Sequence, residues 1–130
     1  VTGEFGNSIE KHHLEFTPRI EEANQIYTEL GNSLHAMIDV SDGLAQDASH
    51  ITTKNTQIQM HTNAIPLRNG ATIENALQDG EDYELLFTCS TQPKHPLTTV
   101  IGEVIERKQG DPKVVDENRS PIEISGWVHK

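Results

Sequence analysis

The chain has 130 residues, 34% of them hydrophobic, and a formal net charge of −10. That length suits one domain with a modest core, and the excess of acids argues against a nucleic-acid or anionic-membrane surface, which needs clustered Lys and Arg. A single cysteine, Cys89, forms no intrachain disulfide, no apolar run approaches the roughly 20 residues of a membrane helix, and no signal peptide is visible, so the expected setting is a reducing cytoplasm.

The chain opens at Val1 without an initiator Met, and the expectation is a piece of something longer. Residues 1–8 read as a strand end and a loop in which Gly3 and Gly6 form a plain turn rather than a phosphate cradle. His12, His13 and Glu15 have no zinc-like spacing and read as solvent-facing. Pro18 then starts a helix. Ile20, Ala23, Ile26, Tyr27 and Leu30 follow at helical spacing as a core-facing stripe, and Gly31 ends it.

Ala36-Met37-Ile38-Asp39-Val40-Ser41-Asp42-Gly43-Leu44 reads as a buried strand that turns directly into a helix. Residues two apart on a strand share a face, so Asp39 and Ser41 are predicted to point together, with Asp42 just beyond. Two carboxylates about 4 Å apart repel by roughly 4 kcal/mol at an effective dielectric near 20, whereas a helix N-terminus returns only about 0.3–1 kcal/mol per anion. Relief then comes from protonation, water or a cation, and a hard ion such as Mg²⁺ suits carboxylate and hydroxyl oxygens. The plainer alternative is that Ser41 or Asp42 caps the helix while Asp39 faces solvent.

The helix from about Leu44 places Ala48 and Ile51 on one face, and Asp47 and His50 read as an exposed pair. Gln57 to His61 alternates as a half-buried strand, and Ala71 to Gln78 reads as a short helix that Gly80 stops. Asp79, Glu81, Asp82 and Glu84 then crowd a turn ahead of a strand carrying Tyr83, Leu85, Leu86 and Phe87. This is either an acidic solvent loop or a second site needing water or a cation. Thr98 to Ile105 reads as a strand broken by Gly102, where a bulge or close backbone approach is expected. Lys113-Val114-Val115 is a short strand, and Trp127, near the end, is a hydrophobic pin or a stacking platform.

Three constellations in this order resemble one family. Asp39-Val40-Ser41-Asp42-Gly43-Leu44, Gly80-Glu81-Asp82-Tyr83-Glu84-Leu85-Leu86-Phe87-Thr88 and Gly126-Trp127-Val128-His129 look like the C-terminal domain of thiamine-monophosphate kinase. Val1-Thr2-Gly3 with Gly6 and Ser8, His13-Leu14, Pro18-Arg19-Ile20 and Ile101-Gly102 add to the likeness, which covers essentially the whole chain. The wider superfamily includes aminoimidazole ribonucleotide synthetase, selenophosphate synthetase and a hydrogenase maturation protein. The resemblance implies an α+β fold, a mixed β-sheet with helices packed on it in layers. Residues 1–130 would be one domain of a two-domain kinase whose N-terminal ATP-binding domain is absent from this chain.

The resemblance further implies ATP-dependent phosphorylation of thiamine monophosphate to thiamine diphosphate. Carried over by motif, Asp39 and Asp42 would hold Mg²⁺, Ser41 would contact ATP, Glu81 would hold the thiamine moiety and Trp127 would pack against it. Phosphoryl transfer rests on metal ions and positioning, so no catalytic nucleophile or general base is assigned. The expected partners are thiamine monophosphate, ATP and the chain's own N-terminal domain, with room for a homodimer of the parent enzyme and none for nucleic acid or membrane. Two departures stand out: Asp79, where the family often has glycine, and Lys130 in place of an aromatic. The rival readings are a non-catalytic acidic domain that binds a cation or partner, and a sister enzyme with another phosphoryl acceptor.

Overall fold

The structure, a computed structural model, describes residues 1–7 and 17–124. The described elements are α1 (Ile20–Leu30), β1 (Leu34–Asp39), α2 (Leu44–His50), β2 (Thr56–Met60), α3 (Ile73–Gln78), β3 (Leu85–Cys89), β4 (Gly102–Glu106) and β5 (Val114–Val115). They form the expected α+β arrangement, with the strands in two sheets. β1 and β3 pair antiparallel, and β2 lies between β4 and β5, antiparallel to the first and parallel to the second. The three-stranded sheet is therefore mixed.

Strand periodicity sorts the apolar side chains between two cores. On the β1–β3 hairpin-like pair, Leu85, Met37 and Phe87 join Ile26 and Leu30 of α1 in one cluster. Leu86 and Ile38 join the other, larger cluster with Phe5, Val40, Leu44, Ile58, Met60 and Val114. Successive residues point to opposite faces of a strand, so the two-stranded sheet separates a layer made by α1 from the layer of α2, α3 and the three-stranded sheet. Thr72 begins α3 with a reciprocal capping box to Asn75.

Several expectations change. β1 is only partly buried, and Val40, just past its end, is the fully buried residue of that run. On α1, Ile26 and Leu30 face the core as expected, but Ile20 and Tyr27 are 70% and 66% exposed. With one narrow sheet beneath it, the helix buries a single stripe, and these two side chains fall outside it. Gln57 is buried along with Ile58, because β2 is a central strand, and its amide donates to the Pro112 carbonyl at 2.7 Å. Thr98 to Ile105 does not run as one strand: Thr98 bridges Thr2, and regular pairing starts at Gly102. A Cβ at Gly102 would stand 2.2 Å from the Gln59 carbonyl oxygen, so the expected close backbone approach is present.

Candidate functional site

β1 ends at Asp39, whose side chain is exposed, and Val40 anchors the following turn in the core. Ser41 and Asp42 then lead to Gly43, the N-terminal cap residue of α2, at φ 123° and ψ 144°. This backbone conformation is open essentially to glycine alone, and a Cβ there would meet the Leu77 and Gln78 carbonyl oxygens at 3.1 Å. No side chain caps α2, so neither Ser41 nor Asp42 plays the plainer capping role. Asp39 does face solvent.

Asp47 holds the turn. Its Oδ2 accepts the Ser41 N–H at 2.8 Å and the Asp42 N–H at 2.9 Å, and the residue is 2% exposed. The expectation of an exposed Asp47–His50 pair is thus corrected: His50 is exposed, with Nδ1 3.4 Å from Asp47 Oδ1, but the carboxylate points inward. Burial pushes the Asp47 carboxyl above its ordinary pKa, and the two N–H bonds pull against that shift. A sequence signal existed in its position one helical turn past a loop that needs acceptors for its amides.

The second acidic turn lies against the first. The Glu81 N–H donates to the Ser41 carbonyl at 2.8 Å, the Tyr83 N–H to the Val40 carbonyl at 2.8 Å, and the Val40 N–H to the Glu84 carbonyl at 2.8 Å. Tyr83 was expected in the strand; it lies instead in the turn before β3, with φ 54°, and Glu81 has φ 65°. Left-handed conformations at two non-glycine residues cost energy and are held here by those backbone bonds.

The four acids of this turn do not share one fate. Asp82 is 0% exposed, with Oδ1 2.9 Å from Arg68 Nη1 and 3.1 Å from the Gly6 N–H. Burial nevertheless raises its carboxyl to about 6, with Arg68 opposing the shift. Glu84 is also buried and forms a bidentate pair with Arg19, Nε to Oε1 at 2.8 Å and Nη2 to Oε2 at 3.1 Å. Thr2 Oγ1 donates to Glu84 Oε1 as well, at 2.9 Å. Asp79 Oδ2 accepts the Asn7 N–H at 3.0 Å. Asp82 and Glu84 are therefore framework residues neutralised by arginines, which corrects the reading that the whole cluster needs water or a cation. The loop around Gly6 spends its amides on these carboxylates.

What remains on the outer side is Asp39, Ser41, Asp42 and Glu81. Burial raises the Tyr83 phenol above its ordinary pKa, and the charges of Glu81, Asp39 and Asp42 raise it further, in that order. The Glu81 to Ser41 and Tyr83 to Val40 backbone bonds bring the two constellations side by side. Their donors are hard oxygens, the class that Mg²⁺ prefers. Among the described residues no group of three or more His, Cys, Asp or Glu is placed to hold a metal by itself. Trp127 lies outside the described residues, as do His12, His13 and Glu15.

Solved structures share this architecture. The chain superposes on thiamine monophosphate kinase from Aquifex aeolicus with a TM-score of 0.70 and 31% identity, over 89% of this chain and 41% of that one. A structure of AaThiL complexed with AMPPCP and TMP gives a TM-score of 0.70 at 28% identity, over 99% of this chain and 50% of that one. The class is thus the α+β fold of the aminoimidazole ribonucleotide synthetase-like proteins.

Within that class the similarity is to the C-terminal part of thiamine-monophosphate kinases. The Aquifex aeolicus enzyme is 32% identical over 138 residues, covering 96% of this chain and 42% of the relative. The Rhodopirellula baltica enzyme is 30% identical over 149 residues, covering 99% of this chain and 46% of the relative. The chain therefore spans less than half the length of these relatives. No protein-family model matches it.

Proposed function

We propose that this chain is the C-terminal portion of a thiamine-monophosphate kinase, which transfers the γ-phosphoryl group of ATP to thiamine monophosphate and yields thiamine diphosphate and ADP. The observation that carries this reading is the backbone bond from Glu81 to Ser41 at 2.8 Å, which puts a candidate metal and phosphate side and a candidate acceptor side on one patch.

In this reading Asp39 and Asp42 hold Mg²⁺, which when bound neutralises phosphate charge and aligns the reacting oxygens. Ser41 contacts ATP. Glu81 holds the thiamine moiety, whose aminopyrimidine and cationic thiazolium favour a carboxylate. Trp127 packs on the same group, a role resting on its motif alone. The bond from the γ-phosphorus to its bridging oxygen breaks, and a bond to a phosphate oxygen of thiamine monophosphate forms. A phosphate monoester has its second pKa near 6, so the attacking oxygen is largely deprotonated at neutral pH and no general base is required. What these residues supply is position and electrostatics, the main sources of catalysis in phosphoryl transfer.

An upstream ATP-binding domain of the same protein completes the site, the parent enzyme has room to work as a homodimer, and the cytoplasm is its setting. Among the described residues no helix is long and apolar enough to cross a membrane. The test is to assay the longer parent protein and this chain side by side with ATP, Mg²⁺ and thiamine monophosphate. The parent is expected to form thiamine diphosphate and the chain alone none. A parent that ignores thiamine monophosphate but phosphorylates another acceptor would overturn the proposal in favour of a sister enzyme.

A further inference from the structure

Only 10 Lys and Arg residues stand against 20 acids in this chain, yet three of the cations meet in one place. Lys54, Asn55, Arg107, Lys108, Gln109 and Gly110 line an open pocket of about 410 Å³, with no acid among them. It lies between two turns. One joins α2 to β2, the other follows β4, and the antiparallel pairing of Thr56 with Glu106 brings them together. Gly43 and the acidic turns lie at the other end of α2, a helix of seven residues and thus about 10 Å long.

The pocket is built around Arg107, which is half-buried. Its backbone N–H donates to the Asn55 carbonyl at 2.9 Å, Nε to the Asp111 carbonyl at 2.9 Å and Nη1 to the Thr53 carbonyl at 3.3 Å. Both walls therefore hold the guanidinium, but through neutral carbonyls that leave its charge in place. Lys54 and Lys108, both exposed, add two more charges. Among the described residues the ion pairs belong to Arg19, His50 and Arg68, and none to these three cations. Asp111 turns its carboxylate to the Lys108 backbone N–H, Oδ2 at 3.0 Å, and so closes its own turn. Glu106 is exposed on β4 and is not part of the pocket lining. Cations gathered without a counter-charge repel one another, and a guanidinium already fixed has less side-chain freedom left to lose when an anion binds.

We propose that this pocket between the α2–β2 turn and the turn after β4 binds a phosphate group, as the free ion or as a monoester. A phosphate monoester carries about −1.5 to −2 charge at pH 7 and three strong acceptor oxygens. It matches one guanidinium and two ammonium groups better than a single carboxylate, which would offset one charge of three. The net charge of −10 repels anions at long range, so only a local excess of cations can hold one. Screening beyond roughly 8–10 Å at physiological salt lets that excess act on its own. The same net charge argues against a nucleic-acid backbone, which needs a longer basic track. The inference does not depend on the kinase reading.

Lysine acylation of the longer parent protein, read by peptide mass spectrometry without added metal, tests it. Saturating inorganic phosphate is expected to slow modification of Lys54 and Lys108 at least about fivefold, while Lys94, outside the pocket, changes little. Sodium chloride at the same ionic strength should not reproduce the effect. The same measurement with AMP separates the sources: protection at a lower concentration than inorganic phosphate assigns the pocket to a monoester, and the reverse order to the free ion. Lys108→Gln, at an exposed position, should raise the phosphate concentration that protects Lys54 at least about threefold, with the fold unchanged by circular dichroism. Unchanged rates at Lys54 and Lys108 in phosphate, or equal slowing by chloride, would overturn the proposal. So would protection of Lys54 in the Lys108→Gln variant at the same phosphate concentration as before.

Discussion

The Glu81 backbone N–H donates to the Ser41 carbonyl oxygen at 2.8 Å, and this bond makes one structural unit of two acidic turns 40 residues apart in sequence. With the Tyr83 to Val40 bond beside it, it holds Glu81 and Tyr83 in left-handed conformations that neither residue favours in isolation. Damage to either turn should therefore register in the other.

Asp47 is the first place to see this. Asp47→Ala leaves the Ser41 and Asp42 N–H groups without their acceptor, and each unsatisfied group costs about 1–3 kcal/mol when water cannot replace the partner. Unfolding in urea should show a loss of roughly 2–4 kcal/mol, with faster exchange of the Ser41 and Asp42 amides. Asp47→Asn keeps an acceptor oxygen and should lose clearly less. Equal losses for the two variants would contradict the role given to the carboxylate.

Gly43→Ala tests the packing of one turn on the other. The native φ of 123° and the approach to the Leu77 and Gln78 carbonyls at 3.1 Å both oppose a Cβ. A loss of about 1–3 kcal/mol is expected from the backbone alone. Thermal unfolding measures it, and an unchanged midpoint would show that the turn adopts another conformation.

Asp82 sets a pH dependence. Its carboxyl is raised from 3.8 to about 6 in the fold, so between those values the native state holds a proton that the unfolded chain has released. Stability from this residue is therefore fully present below about pH 4, falls as pH rises through 6, and is level above that. At roughly 1.4 kcal/mol per pKa unit the fall is on the order of 2–3 kcal/mol. Asp82→Asn does not titrate, so the stability difference between the two proteins should drift by that amount between pH 4 and 7. Parallel stability curves would contradict it.

Much of this was legible in the sequence, and the failures share a cause. Gly31 and Gly43 punctuate helices through local backbone chemistry, so α1 and α2 fall close to where spacing puts them, whereas α3 begins at Ile73 rather than Ala71 and is capped at its end by Asp79, one residue before the glycine expected to stop it. The acids are different. Asp39 and Asp42 look no different on the page from Asp47, Asp82 and Glu84, yet the last three are buried framework groups. Their partners, Arg19, Arg68, Thr2 and the amides of Gly6, Ser41 and Asp42, lie mostly far away in sequence, and no local pattern announces them. Ile20 and Tyr27 mislead for a related reason: helical spacing gives a stripe but not the width of the surface that covers it.

In the proposed function Glu81 is assigned to the acceptor side. In the longer parent protein Glu81→Ala should raise KM for thiamine monophosphate by about 10- to 100-fold, the loss expected for a charged hydrogen-bonding partner of about 1.5–3 kcal/mol. KM for ATP should move much less. Steady-state kinetics with each substrate varied in turn separates the two, and an equal rise in both would assign Glu81 to the fold instead.

The central claim is that the turn between β1 and α2 is the metal and phosphate side of a kinase site, and Asp42→Asn in the full-length parent tests it most directly. The variant keeps the Asp42 N–H bond to Asp47 and the shape of the side chain but removes its charge. A lost metal contact worth several kcal/mol predicts at least about a hundredfold fall in kcat/KM for Mg²⁺-dependent formation of thiamine diphosphate, with the fold intact by circular dichroism. Unchanged activity in a folded Asp42→Asn protein would contradict the claim.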